Sequence, residues 1–122
     1  MNDSKIINDP IFGFIKIPHG LLLDIVEHPL MQRLTRIKQL GLTSMVYPSA
    51  QHTRFQHSIG AFHLMSEAIT SLTQKGIYIF DSEAEAVEAA ILWAWTILSC
   101  LRAYIDKRNK PRRNILAYDG TN

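Results

Sequence analysis

The stretch HTRFQHSIG, residues 52–60, decides the fold and the candidate chemistry of this chain. It joins a segment without helical period to a long run in which apolar residues recur at helical spacing, so we expect a helix over about 57–75. Arg54 and His52 precede this helix and His57 opens it. A cation suited to phosphate and an imidazole suited to a metal are therefore expected to point into one cleft.

The flanking residues predict a mainly α fold. β-forming residues on both sides of an Asn-Asp-Pro breaker at 8–10 predict a short extended or hairpin-like segment at the N-terminus. One or two helical turns are expected over 21–27. Pro29 then opens a second helix, expected to run to Gly41 with Leu30, Leu34 and Ile37 on one face.

Two further segments complete the expected order. Residues 43–54 have no hydrophobic period and are interpreted as a loop. Ser82 and Glu85 form a candidate capping box for a third helix, whose first half has high helix propensity. The expected architecture is three helical stretches after a small extended segment.

Composition limits the classes of function. A chain of 122 residues with 47% apolar and 20% charged residues is typical of one soluble domain. The apolar run 89–101 ends at Arg102, short of the roughly 18 residues expected of a membrane span, so no membrane anchor is predicted. Cys100 has no internal disulfide partner and the N-terminus has no signal-type apolar region, which favours a cytoplasmic setting.

Charge is unevenly distributed. Residues 1–101 contain seven Lys/Arg and nine Asp/Glu, whereas residues 102–122 contain six Lys/Arg and two Asp/Glu. A basic tail of this kind binds nucleic acid in some proteins and is a solvated end in others.

Three ordered blocks resemble a known family. They are INDPIFG at 7–13, QRLTRIKQLG at 32–41 followed by Tyr47-Pro48, and HTRFQHSIG at 52–60. The last block is similar to the H-x-R-F-E-H-S-L-G segment of HD-domain phosphohydrolases. All three resemble the deoxynucleoside triphosphate triphosphohydrolase branch of that family, with Gln56 at the position where Glu is more usual.

The resemblance implies a helical domain with a divalent metal ion that activates water for attack on phosphorus. The family holds this metal with the histidine of the R-F-x-H segment, a His-Asp pair on a later helix and a distant Asp. By the resemblance, His57 matches the first metal ligand, Arg54 the arginine that contacts phosphate and Gln39 the glutamine that contacts the sugar. The implied substrate is a deoxynucleoside triphosphate (dNTP), the products are a deoxynucleoside and triphosphate, and assembly into a homo-oligomer is an expectation.

The family's His-Asp pair is missing after Leu92. There the family continues with a segment like L-H-D-I-G-H-G-P-F-S-H, whereas this chain has Trp93-Ala94-Trp95-Thr96. The codons of residues 93–104, taken one base later, force two glycines and allow G-H-G-[Q/P]-F-S-H. We interpret residues 1–92 as the N-terminal part of an HD domain and residues 93–122 as a frameshifted, non-native tail.

Two hypotheses follow. In the first, the chain is a truncated HD-domain phosphohydrolase, catalytically incomplete because one imidazole cannot hold the metal. Lost packing partners for the faces led by Leu34, Phe62 and Met65 would then leave apolar surface exposed, which predicts poor solubility or a molten helical ensemble. In the second, it is a small helical binding protein whose basic tail binds nucleic acid or an anionic partner.

Overall fold

The computed structural model describes residues 4–109 and begins with the predicted hairpin. Strand β1, Ser4–Asp9, pairs antiparallel with strand β2, Gly13–Pro18, and Ile7 lies opposite Ile15. The turn is held by the Asp9 carboxylate, which accepts hydrogen bonds from the backbone N–H groups of Ile11 at 2.8 Å and Phe12 at 3.0 Å. The hairpin predicted from the β-forming residues around the Asn-Asp-Pro breaker is confirmed.

Helices make up most of the remaining fold, which confirms the mainly α class. Helix α1 spans Leu21–Glu27, α2 spans Pro29–Arg33, α3 spans Arg54–Gln74 and α4 spans Asp81–Asn109. Two short 3₁₀ turns, Leu34–Arg36 and Gly41–Met45, lie between α2 and α3. Helix α3 packs along α4, and α1 and α2 pack against α4 as well.

The predicted continuous second helix is wrong. Its α-helical part ends at Arg33, and at Ile37 the backbone becomes extended with φ −111° and ψ 117°. The reason is a competing backbone pairing: the Ile37 carbonyl accepts from the N–H of Arg54 at 2.8 Å, and the Gln39 N–H donates to the carbonyl of His52 at 3.0 Å. Leu30, expected on the shared apolar face, is exposed.

The starts of the two long helices also differ from expectation. Helix α3 begins at Arg54, three residues earlier than predicted, because Thr53 caps it. Helix α4 begins at Asp81, so Ser82 lies inside the helix and the Ser82–Glu85 capping box is not formed. Instead, the Glu83 carboxylate accepts a hydrogen bond from the N–H of Phe80 at 3.2 Å.

The core lies between the hairpin, α1, α2, α3 and the middle of α4. Its buried hydrophobic residues are Ile15, Ile17, Leu22, Leu23, Ile25, Val26, Met31, Leu34, Ile59, Phe62 and Leu92. Leu34 and Phe62 are therefore buried, contrary to the expectation that their faces lose their packing partners. Several large apolar side chains outside this core are nevertheless exposed, among them Leu42, Met45, Val46, Ile77 and Tyr78.

One close approach fixes the hairpin turn on α3. A Cβ atom added to Gly60 would lie 3.1 Å from Cε2 of Phe12, which is tighter than ordinary van der Waals contact. Any larger residue at position 60 would therefore require the Phe12 ring to shift by a few tenths of an ångström.

Candidate functional site

The N-terminus of α3 is organised by a capping box. The Thr53 hydroxyl accepts a hydrogen bond from the backbone N–H of Gln56 at 3.2 Å, and the Gln56 side-chain oxygen accepts one from the N–H of Thr53 at 2.9 Å. The family resemblance has Glu more often at this position, and either residue can close such a box. The T-R-F-Q pattern at 53–56 was a readable signal for this cap, which the prediction of a loop up to Arg54 missed.

A short antiparallel pairing brings the Gln39 segment to the start of α3. Lys38 and Thr53 form a β-bridge, so Gln39 lies opposite His52 and Ile37 lies opposite Arg54. Alternate residues of an extended segment point to the same side, which places Gln39 and Arg54 on one face of the pairing. The carbonyl oxygen of the Gln39 side chain is buried without a hydrogen-bond partner within residues 4–109.

Arg54 is directed towards α4. Its Nη1 donates a hydrogen bond to the Ser99 hydroxyl at 2.7 Å, and its guanidinium lies 5.6 Å from the ring centroid of Trp95, a cation–π distance. Its Nε is buried without a partner among the described residues. In that part of the chain Arg54 has no carboxylate within salt-bridge distance.

His57 lies one helical turn after Arg54. Its ring is exposed and meets Trp95 edge to face, with the ring centroids 5.3 Å apart. His57 and His52 also line a cleft of about 480 Å³ whose other wall is the hairpin turn at Pro10–Phe12. His52 and His57 thus line one cleft, whereas Arg54, which was expected to point into the same cleft as His57, is directed to Trp95 and Ser99.

Among residues 4–109, the side chains around His57 do not form the donor set of a catalytic divalent metal ion. Within residues 4–109, no three His, Cys, Asp or Glu side chains lie close enough together to hold one. A site of the kind implied by the resemblance needs several imidazole and carboxylate ligands around one point. His57 has the Trp95 indole beside it where such ligands are needed.

The composition of helix α4 bears on the prediction that the chain has no membrane anchor. By length and apolar content, the stretch Asp81–Arg108 is able to cross a membrane, with 22% of the most apolar window buried in the fold. A core helix of a soluble protein passes the same test, and Leu92 of this helix is fully buried. The absence of a membrane anchor therefore stays a prediction.

Comparisons with known proteins indicate the class of protein to which the chain is related. No protein-family model matches the chain. A crystal structure of a phosphohydrolase from Bacteroides thetaiotaomicron is similar to it, with a TM-score of 0.72 and 79% sequence identity over 74% of this chain and 22% of that one. The matched part of the chain is thus similar to part of a phosphohydrolase.

Similarity to curated proteins indicates a particular branch of the phosphohydrolases. The chain is 45% identical over 81 residues to the deoxynucleoside triphosphate triphosphohydrolase SAMHD1 of Danio rerio, and 46% identical over 87 residues to SAMHD1 of Homo sapiens. These matches cover 66% and 71% of this chain but only 13% and 14% of the relatives. The chain is therefore related to the dNTP triphosphohydrolase branch, which confirms the resemblance seen in the three motif blocks.

Proposed function

We propose that this chain is a catalytically incomplete relative of the dNTP triphosphohydrolases. In this proposal, residues 1–92 carry part of a substrate site and residues 93–122 are a non-native tail in a shifted reading frame. Gln39, Arg54 and His57 are the retained sugar-contacting, phosphate-contacting and metal-binding positions. The cytoplasmic location belongs to the same proposal.

The observation that carries the proposal is the neighbour of His57. Trp95 meets His57 at 5.3 Å, and it belongs to the residues that follow Leu92 in place of the family's His-Asp pair. An indole offers one N–H donor and no ligand for a divalent cation. Because the remaining donors near His57 within the described residues do not form a metal cluster, we expect no activated water and no phosphoryl transfer in this chain.

The lengths of the matches are in keeping with a native segment shorter than the whole chain. The match to the phosphohydrolase structure covers 74% of the 122 residues, or about 90 residues. It does not extend over the whole chain even though the identity is 79%. The matches to the two SAMHD1 relatives extend over 81 and 87 residues. Lengths of this size support a native segment about as long as the proposed one, residues 1–92.

The direct test is a repair experiment. The coding DNA is sequenced, the L-H-D-I codons and the original frame are restored after Leu92, and triphosphate release from each dNTP is measured with Mg²⁺ or Mn²⁺. The repaired protein is expected to release triphosphate and the unrepaired chain is not. A His57→Ala variant of the repaired protein serves as the matched control and is expected to be inactive.

Two outcomes would contradict the proposal. Triphosphate release by the unrepaired chain would show that its site is complete. A coding sequence without an HD-type continuation in the shifted frame would remove the reason to treat residues 93–122 as non-native.

A second candidate function rests on the basic end of α4. Arg102, Lys107 and Arg108 are exposed, whereas Lys110, Arg112 and Arg113 lie outside the described residues. If these residues bind nucleic acid, affinity for duplex DNA should fall steeply with salt and disappear in a chain ending at residue 101. No affinity at low salt would exclude this function.

A further inference from the structure

An exposed apolar stripe runs along α4 on the side opposite its buried residues. We call it the α4 stripe; its members, all exposed, are Val87, Ala90, Ala94, Ile97, Leu101 and Tyr104. At about 100° per residue, these positions lie roughly 120–220° around the helix from Leu92. The packing that buries Leu92, Thr96 and Ser99 therefore leaves the stripe uncovered within residues 4–109.

The spacing of the stripe is that of a helix-pairing seam. Its members alternate at intervals of three and four residues through nearly three heptads, which is the a/d pattern of two helices that pack along their length. Ile97, Leu101 and Tyr104 are 60%, 52% and 63% exposed, so the larger members are available for such a contact.

Side-chain sizes along the stripe fit an antiparallel copy of itself. If a two-fold axis passes between residues 95 and 96, Ala94 lies opposite Ile97 of the second copy and Ala90 lies opposite its Leu101. Val87 then lies opposite Tyr104. Each small side chain meets a large one, which is the alternation that lets two helices interdigitate.

The charges of α4 favour the same orientation. Its first turns carry Asp81, Glu83, Glu85 and Glu88, and its exposed basic residues Arg102, Lys107 and Arg108 lie near the other end. In the register that pairs Ala94 with Ile97, Glu83 lies opposite Arg108. A parallel arrangement would place acidic residues beside acidic ones and basic beside basic, which is unfavourable.

We propose that the α4 stripe binds the α4 stripe of a second copy of this chain, forming a two-fold symmetric dimer of antiparallel helices. The contact uses apolar packing in the centre and Glu83–Arg108 pairs at both ends. The contact involves neither His57 nor Arg54, and it requires only that residues 94–104 are helical, whether or not they belong to the proposed non-native tail.

The first experiment measures the mass of the full 122-residue chain by sedimentation velocity over a range of concentrations. The parent is expected to show a monomer–dimer equilibrium, and Ile97→Glu/Leu101→Glu is expected to weaken it about tenfold or more. Ile77→Glu is the matched control, since Ile77 is 50% exposed and lies outside α4. Far-UV circular dichroism checks that each variant keeps its helices.

The second experiment tests the register by charge exchange. Glu83→Arg and Arg108→Glu are each expected to weaken the dimer. Each substitution places like charges opposite one another at both ends of the helix pair, because the two-fold axis repeats the contact. The double exchange restores opposite charges in the antiparallel register and is expected to recover most of the lost affinity.

Three results would overturn the proposal. They are a monomeric parent at all concentrations, a stripe variant that dimerises as tightly as the Ile77→Glu control, and a double exchange weaker than both single ones. A monomeric parent that binds phosphatidylglycerol vesicles through Ile97 and Leu101 would assign the stripe to a membrane surface instead.

Discussion

The two halves of α4 differ in what they bury. Up to Leu92 the helix contributes an apolar side chain to the core, with Ala89 and Ile91 partly buried beside it. After Leu92, the buried residues of α4 up to Arg108 are Thr96 and Ser99, both polar, while Ile97, Leu98 and Leu101 are exposed. Trp93 and Trp95 are partly buried against the core. Apart from them, the usual order, in which apolar side chains are buried and polar ones are exposed, is reversed after Leu92.

This reversal shows that a helix can form even where its apolar side chains do not face the core. Helix geometry needs only backbone hydrogen bonds and tolerable propensities, and residues 93–109 satisfy both. Burial of apolar side chains depends on the order of apolar and polar residues along the helix, and selection maintains that order. The change in order begins at the point where the sequence departs from the family motif, in agreement with the proposed reading-frame junction.

The largest expected effect concerns the last apolar core residue before the change. Leu92→Ala should lower the free energy of unfolding by about 2–5 kcal/mol, because Leu92 is fully buried and its loss leaves a cavity. Urea denaturation followed by circular dichroism measures this change. Leu98→Ala on the same helix is the control, and since Leu98 is 54% exposed it should change stability by less than about 1 kcal/mol. Equal effects at the two positions would remove the distinction between the two halves of α4.

An intermediate effect is expected at Ser99, where the second half of α4 supports the first part of the chain. Ser99→Ala should lower the free energy of unfolding by about 1–2 kcal/mol, because Arg54 Nη1 loses its acceptor. Chemical denaturation again measures the loss, with the exposed Ser71→Ala as control. An unchanged stability would mean that water replaces the Ser99 hydroxyl and that the two segments are less coupled than the 2.7 Å distance implies.

The smallest effect, with opposite sign, is expected at Thr96. Its buried hydroxyl lies 3.5 Å from the Met31 sulfur, a weak acceptor. Thr96→Val keeps the side-chain shape and removes the poorly paired hydroxyl, so the free energy of unfolding should rise by up to about 1 kcal/mol. Thr70→Val, at an exposed position of α3, is expected to show no gain. A clear loss of stability in Thr96→Val would mean that the polar core position is adapted to its surroundings.

Local sequence signals predicted much of the fold. The β-forming residues around Asn8-Asp9-Pro10 predicted the hairpin, and the spacing of Ile59 and Phe62 predicted the long helix that contains them. The second helix was overestimated because the Ile37–Gln39 backbone pairs with residues 52–54, and a pairing between distant segments is not visible in helical periodicity.

The candidate site was predictable to a similar degree. Arg54 and His57 are three residues apart, so their proximity on one helix follows from helix geometry. The contacts of both residues with Trp95 depend on how α3 packs along α4 across about forty residues of sequence, which no local pattern encodes. The placement of Gln39 was reached through the motif resemblance, while its actual neighbours depend on the β-bridge at Lys38.

The contact between Gly60 and Phe12 has a consequence for access to the cleft that contains His52 and His57. The tip of the hairpin lies directly on the α3 backbone at Gly60, so a side chain introduced at position 60 would displace the Phe12 ring, which lines the same cleft. The width of the cleft at this wall therefore depends on the absence of a side chain at position 60.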